Sequence, residues 1–494
     1  MAISKHSVFQ LFFLGYSEKE DSMMSYRASR RDFLAAVGGG LVSTLAADAR
    51  AQAGEGGNAK RPPNIILILS DDLGAKELAC YGNRVHQTPH LDSLGATGVK
   101  FETCYSTPLC HPTRLMIMTG QYGCHNGVYN FAGRRGGPEA DAPAEDIAKS
   151  HVTFVNVLKK AGYATALSGK WQLSGKLPGL IRECDFDEYC MWAYEHNLPE
   201  GVKHTGGLEN DKKPSRYWHP SIIRNGEYVP TRAEEYGPDI FNNFVLDFIG
   251  RNKDRPFFVY YPMCLTHAPH VPTPLSWKEG MDKYKNSKDN FKPAVEYVDV
   301  LIGRLVKRLD ELGLRENTVL FFTGDNGTGG EGKGQPTELG ARVPMIVNAP
   351  GIVKPRGATP ELTDLSDILP TLAEFAGAEP PADRPIDGKS YAKFLRGEQD
   401  ATRDWIFSYI GDARILRTKR WLLEDNSPLH YGRLYDCGDS RDGTGYREVT
   451  HTTEEEVLDV KKHFADLLEK LPAPLLPEDG SPTEKKPRRR REKG

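Results

Sequence analysis

At 494 residues, 39% of them apolar, the chain can bury a large core and build two or more structural units, or one large α/β domain with an appendage. Its 64 basic and 67 acidic side chains leave a formal charge of -3, which excludes a global pull toward nucleic acid or an anionic membrane. Any attraction for an anionic ligand must be local.

The N-terminus reads as an address. Ser29-Arg30-Arg31-Asp32-Phe33-Leu34, the apolar run from Ala35 to Ala47 and the small residues Ala51-Gln52-Ala53 predict a twin-arginine signal over residues 1–53, with Met23 or Met24 as alternative starts. The run is short for a membrane span. The expectation is export by the Tat machinery to the periplasm or beyond, followed by a linker over 54–61. Eight cysteines show no Cys-x-x-Cys spacing, which argues against zinc. At most one or two disulfides are expected, Cys184 with Cys190 first.

From Asn64 the pattern is that of a layered α/β fold. Ile65-Ile66-Leu67-Ile68-Leu69 is apolar without alternation, as a strand buried on both faces requires, and it ends at Asp71-Asp72. Ala164 to Leu167 leads in the same way to Lys170, Phe257 to Tyr261 toward His267, and Val319 to Phe322 to Asp325-Asn326. Between the last two strands, Val295, Val298, Ile302, Leu305, Leu309 and Leu312 recur at helical spacing before Gly313. Strands alternating with helices predict a mainly parallel sheet whose ligand edge lies beyond the strands' carboxyl ends, where all four polar sets would meet. The predicted domain runs over 62–398. Short alternating segments at 405–409, 413–417 and 420–423, then a helical pattern from Glu454 to Leu471, predict a small antiparallel sheet plus a helix over 399–472. Residues 473–494 read as a disordered basic tail.

Asp71, Asp72, Asp325 and Asn326 are hard oxygen donors, suited to calcium first and magnesium second. Cys110-His111-Pro112-Thr113-Arg114 opens a predicted helix, and Arg114, four residues after Cys110, falls on the same face. Lys170 and Lys333 add point charges, and His267 is an imidazole able to bind an anion or move a proton, with His270 its competitor.

These residues resemble the type I, formylglycine-dependent sulfatases of the alkaline-phosphatase superfamily. Cys110-x-Pro-x-Arg114 is similar to the tract in which that family's cysteine is oxidised to formylglycine. Asn64 to Gly74, Thr88-Pro89-His90-Leu91-Asp92, Gly169-Lys170-Trp171-Gln172-Leu173, Asp325-Asn326-Gly327, Gly332-Lys333-Gly334, Asp367 to Leu372 and Leu434-Tyr435-Asp436 follow in family order. The resemblance runs from Asn64 to about Asp436. It implies an alkaline-phosphatase-like fold and a formylglycine made from Cys110 by a maturing enzyme. It also implies a calcium ion held by Asp71, Asp72, Asp325, Asn326 and residue 110, with Arg114, Lys170, His267 and Lys333 around a sulfate ester, carbohydrate-borne or otherwise. One departure stands out: the family usually has His where this chain has Gln172, which on an extended chain would face the same way as Lys170 and can bind substrate but not transfer a proton. Thr113 stands where Ser is commoner. Alternative readings are a phosphate or phosphonate monoester hydrolase with the same nucleophile, and an inactive sulfated-glycan-binding homologue. Aromatic residues between Cys184 and Tyr236, among them Tyr189, Trp192, Tyr194, His196, Tyr217, Trp218, His219 and Tyr228, are read mainly as packing, with stacking on sugar rings the second use.

Overall fold

The computed structural model describes residues 61–131, 150–173, 180–193, 198, 200–202, 215–400 and 403–474. The expected signal, nearly all of the linker and of the basic tail, and Tyr194 and His196 lie outside the described residues.

Ten strands form the main sheet: β1 (Asn64–Ser70), β2 (Val99–Tyr105), β3 (Ala164–Gly169), β4 (Glu188–Trp192), β5 (Ile222–Arg224), β6 (Glu227–Val229), β7 (Phe257–Pro262), β8 (Thr318–Gly324), β9 (Arg342–Asn348) and β10 (Gly357–Asp364). Their order is β10-β2-β9-β8-β1-β7-β3-β4-β5-β6. The pairs from β8 through β1, β7 and β3 to β4 are all parallel, and β9 and β5 are paired antiparallel to both their neighbours. The apolar run of β1 is central for the expected reason. Ile65, Leu67 and Leu69 face one core, Ile66 and Ile68 the other, and none is exposed. Each such side chain fully removed from water contributes about 1.5–3 kcal/mol.

Helices cover both faces. The first core takes Leu115 to Met118 of the helix that follows β2, and the second takes Val295, Val298, Ile302, Leu305 and Leu309 of the helix Phe291–Glu311. That helix stops where Gly313 adopts a left-handed φ of +66°. The second sheet is antiparallel, β11 (Trp405–Ile410), β12 (Ala413–Thr418), β13 (Trp421–Asn426), β14 (Arg433–Asp436) and β15 (Arg447–Glu448), with the helix Glu455–Glu469 after it. The mixed, mainly parallel sheet with a smaller antiparallel one matches the expected architecture.

The expected Cys184 to Cys190 bridge is absent, and all eight cysteines are free thiols. The sheet explains why: Cys184 packs in the core on one face and Cys190 in the core on the other. Most of the described aromatics of this region also serve packing. Tyr189 and Trp192 are buried, and Trp218 donates its Nε1 proton to the Pro272 carbonyl at 2.7 Å.

Candidate active site

The carboxyl ends of β1, β7, β3 and β8 bring Asp71, His267, Lys170 and Asp325 together. Backbone hydrogen bonds continue past the strand ends and tie these residues to the neighbouring strands. Asp71 N donates to Leu265 O at 2.7 Å, Lys170 N to Pro262 O at 2.6 Å and Asp325 N to Ser70 O at 2.9 Å. Gly169 makes this approach attainable: its φ is +119°, and a Cβ there would lie 2.0 Å from the Pro262 carbonyl oxygen.

Cys110 opens the helix Cys110–Thr119, and its thiol is buried. Thr113 keeps the use expected of a hydroxyl: its Oγ1 accepts from Thr107 N at 3.0 Å and shares a 2.7 Å bond with Thr107 Oγ1, fixing the turn before the helix. One turn on, Arg114 is fully buried. Its Nη2 donates to Asp325 Oδ2 at 2.7 Å and its Nη1 to the Lys170 carbonyl at 2.9 Å, and Nη2 lies 3.7 Å from Asp71. Lys170 Nζ donates to Asp71 at 2.7 Å, and Lys333 Nζ donates to Asp72 at 2.6 Å. The glycine run before Lys333 allows this, since a Cβ on Gly329 would come within 2.9 Å of Asp72 Oδ2.

Burial pushes the Cys110 thiol up, an effect that Lys170 and Lys333 oppose and that Asp325 and Asp71 reinforce. These four side chains therefore act on residue 110 as one electrostatic unit. Burial alone would raise Asp71, but Lys170, His267, Arg114 and Lys333 hold its carboxyl well below the usual range. Asp325 goes the other way: burial and Asp71, with a smaller push from Asp72, outweigh Arg114 and Lys170, and its carboxyl is pushed up to about 7. Asp71, Asp72 and Asp325 are matched in number by Arg114, Lys170 and Lys333, so burial and the closeness of Asp71, not an excess of carboxylates, raise Asp325. Asn326 Nδ2 donates to Asp72 Oδ1 at 2.9 Å, while the buried Asn326 Oδ1 has no hydrogen-bond partner among the described residues.

His267 Nδ1 lies 2.6 Å from the Ala268 carbonyl, so Nδ1 carries the hydrogen and Nε2 a lone pair. Burial, with Arg216 and Lys170, holds this imidazole down to about 3. Its Nε2 lies 3.8 Å from Asp72 Oδ2, and one ligand atom from each of Asp71, Asp72 and His267 falls within 4.8 Å of the others. A cluster of acceptors with an orphaned amide oxygen beside it fits a divalent cation with oxygen ligands. The His270 ring packs on Phe291 with centroids 5.1 Å apart, and Asp72 opposes the burial that lowers its imidazole.

Gln172 departs from the expected orientation. Its φ is +52°, a left-handed rather than extended residue, so it does not repeat the direction of Lys170. Its carbonyl accepts from His111 Nδ1 at 3.1 Å, and its buried Oε1 has no hydrogen-bond partner among the described residues.

Sequence reasoning missed Arg216. Its guanidinium lies 4.0 Å from the centre of the Trp192 ring, and Nη1 lies 3.7 Å from Asp71 Oδ2. A lone arginine in an irregular segment carries no spacing signal.

Residues 63–378 match the Sulfatase family profile. The chain is 30% identical over 446 residues to steryl-sulfatase of Mus musculus, covering 74% of this chain and 70% of the relative. It is 32% identical over 410 residues to N-acetylgalactosamine-6-sulfatase of Canis lupus familiaris, covering 76% and 73%. A sulfatase structure from Pseudoalteromonas sp. superposes with a TM-score of 0.65 at 22% identity over 84% of this chain and 92% of that one. Phosphonate monoester hydrolase of Agrobacterium radiobacter does so with 0.58 at 18% over 83% and 95%. These two are likenesses of fold. With its family profile, its relatives and its fold in agreement, the chain belongs to the sulfatase family of the alkaline-phosphatase superfamily and is a sulfuric ester hydrolase.

Proposed function

We propose that this protein releases inorganic sulfate from sulfated carbohydrate, with formylglycine at position 110 and a calcium ion held by Asp71, Asp72, Asp325 and Asn326, after export by the Tat machinery to the periplasm or beyond. The observation that carries the reading is the convergence of Arg114, Lys170 and Lys333 on three carboxylates beside residue 110. The N-acetylgalactosamine-6-sulfatase relative and the twin-arginine segment favour an extracytoplasmic sugar ester.

Formylglycine would supply a hydrated aldehyde, one hydroxyl to attack sulfur and a second whose deprotonation lets sulfate leave, and the cation would polarise the sulfate oxygens. The residues of the chain do the rest. Arg114 is locked by two acceptors and keeps its charge one turn into the helix that Cys110 opens. Lys170 and Lys333 present ammonium groups to the anionic ester, and preorganised donors of this kind are worth about 3–4 kcal/mol each in a dry site. Burial would lower Lys333, but in the unmodified chain Cys110, Asp72, Asp71 and Asp325 raise it above the ordinary lysine range, and the three carboxylates remain beside it when residue 110 is oxidised. With His267 neutral and its lone pair at Nε2, the two lysines are the groups that hold protons for the leaving oxygen. Gln172 cannot replace them.

The test is coexpression with the formylglycine-generating enzyme, mass analysis of the peptide containing residue 110, and sulfate release from defined sulfated saccharides beside matched phosphate esters. Aldehyde at 110 with turnover of sulfate esters, both lost in Cys110→Ser, is the expected result. Full turnover by Cys110→Ser would refute the nucleophile assignment. Preference for phosphate would move the chain to the phosphoester alternative, and undetectable aldehyde would favour a glycan-binding role.

A further inference from the structure

A cavity of about 460 Å³, within the size range of small-ligand sites, lies at the seam between the two sheets. Ala75, shortly after Asp72, and Thr328, shortly after Asn326, line it from the main sheet, and Leu422 and Glu424 of β13 with Tyr435 of β14 line it from the small one. Arg342, also in the lining, opens β9, which pairs antiparallel with β8, so the cavity stands at the same edge of the main sheet as the catalytic cluster. The two share a loop. Thr328 Oγ1 accepts from Gly74 N at 3.3 Å and donates to Glu77 Oε1 at 2.8 Å, while Lys333, whose ammonium bonds Asp72, donates its backbone N–H to Thr328 O at 3.2 Å.

The charges of the lining are matched. Glu338 lies 3.5 Å from Arg417, and Glu424 lies 3.0 Å from Arg433. Hydrogen bonds from Thr444, then from Ser440, and the Arg342 charge hold Asp442 down to about 2 against burial, and Lys76 is paired with Glu331. An anion entering here would meet only cations that already have a carboxyl partner. A metal ion would meet carboxyls already engaged by arginines, and among the described residues only Asp71, Asp72 and His267 gather as a group of metal ligands. A wholly apolar ligand would strip water from three carboxyls without replacing its hydrogen bonds.

What the cavity offers is amphipathic. Ala75, Leu422 and Leu339, the last 44% exposed, are apolar, and Tyr435 and Tyr446 add aromatic rings. A carboxylate has about four acceptor positions. Glu338 uses Oε1 for the Tyr105 hydroxyl at 2.7 Å, and Glu424 uses Oε2 for Glu338 N at 2.9 Å, so acceptor capacity is left over. A sugar ring has the complementary character, with C–H faces that pack on apolar and aromatic groups and hydroxyls that donate to carboxyl oxygens.

We propose that this cavity is a second binding site, one that takes an uncharged sugar unit. The unit belongs either to the glycan that carries the cleaved sulfate or to a separate one, and the chemistry of recognition is the same.

The first measurement uses the full chain with Cys110 unmodified, so that neither maturation nor turnover is needed. Galactose, N-acetylgalactosamine, lactose and cellobiose are titrated by calorimetry and saturation-transfer NMR, with glucuronate and inorganic sulfate as charged comparators. At least one neutral sugar is expected to bind with Kd on the order of 1 mM. Leu339→Asp, at an exposed position, and the isosteric Glu424→Gln are each expected to weaken that binding by about tenfold at unchanged Tm. The second measurement uses matured enzyme. A KM raised by Leu339→Asp for a sulfated tetrasaccharide, with that for a sulfated monosaccharide unchanged, assigns the sugar to the substrate's own chain, whereas lost binding at unchanged KM assigns it to a separate glycan. Binding of no neutral sugar by wild type, binding that survives both substitutions, or tighter binding of glucuronate or sulfate that Leu339→Asp abolishes would overturn the proposal. Lack of turnover on every sulfate ester would remove the sulfatase reading and leave the binding result standing.

Discussion

Lys170 Nζ donates to both carboxylate oxygens of Asp71, at 2.8 and 2.7 Å, and neither side chain reaches solvent. This pair is the joint between β3 and β1 at the edge where the chemistry gathers. It brings the ammonium next to residue 110 and keeps Asp71 ionised against the pull of burial.

Lys170→Met leaves Asp71 buried without its main partner. Breaking one side of such a pair costs about 3–5 kcal/mol, which urea unfolding of metal-depleted protein reads directly. Turnover is expected to fall by about a hundredfold to a thousandfold, because a preorganised donor to the ester is gone as well. Asp71→Asn combined with Lys170→Met is expected to cost less stability than the two changes summed, since the second removes a charge already left without its partner. Strict additivity would mean that the pair is not coupled.

The charge balance at Asp325 makes a second expectation. Burial and Asp71 push its carboxyl up to about 7 against Arg114 and Lys170, so the metal-free site takes up a proton near neutrality. A divalent cation replaces that proton. Binding is therefore expected to release protons at neutral pH and to weaken as pH falls below about 7, because the metal then competes with protonation. Calorimetry in buffers of different ionisation enthalpy measures the release. Chelation should abolish turnover and lower Tm. Calcium should restore both, adding about 2.7 kcal/mol at a hundredfold excess over Kd. Magnesium should require more, and zinc should fail, since the cluster offers carboxylate and amide oxygens, with the His267 imidazole its one nitrogen among the described residues, and no thiolate. Restoration by zinc alone would contradict the oxygen-ligand reading.

How far the sequence reached depends on whether a feature is periodic or local. The buried strands are legible in unbroken apolar runs, and the polar residues that end those runs locate Asp71, Lys170, His267 and Asp325 from sequence alone. The helix from Phe291 is legible in its spacing. What failed depended on tertiary direction. Cys184 and Cys190 are close in sequence yet fall on opposite faces of the sheet. The direction expected of Gln172 assumes an extended chain, and a φ of +52° turns it elsewhere. Arg216 belongs to no run or motif, and only the fold brings it over Trp192 and beside Asp71.

His151 carries the pH expectation furthest from the catalytic cluster. Its Nε2 donates to the Asn126 carbonyl at 3.2 Å, and its buried Nδ1 has no hydrogen-bond partner among the described residues. A second proton would have to sit on Nδ1 without an acceptor, and burial, the largest influence, lowers the imidazole from the ordinary histidine value. A histidine lowered in the folded state binds its proton more readily when unfolded. Its contribution is therefore fully present above the unfolded value of about 6.5 and is lost as pH falls below it. His151→Gln can keep a donor to Asn126 and has no such proton to take up. Melting curves between about pH 7.5 and about pH 5 should show Tm falling more steeply for wild type than for this variant. Identical slopes would show that His151 titrates alike in the folded and unfolded chain, and the acid sensitivity would then have to come from elsewhere.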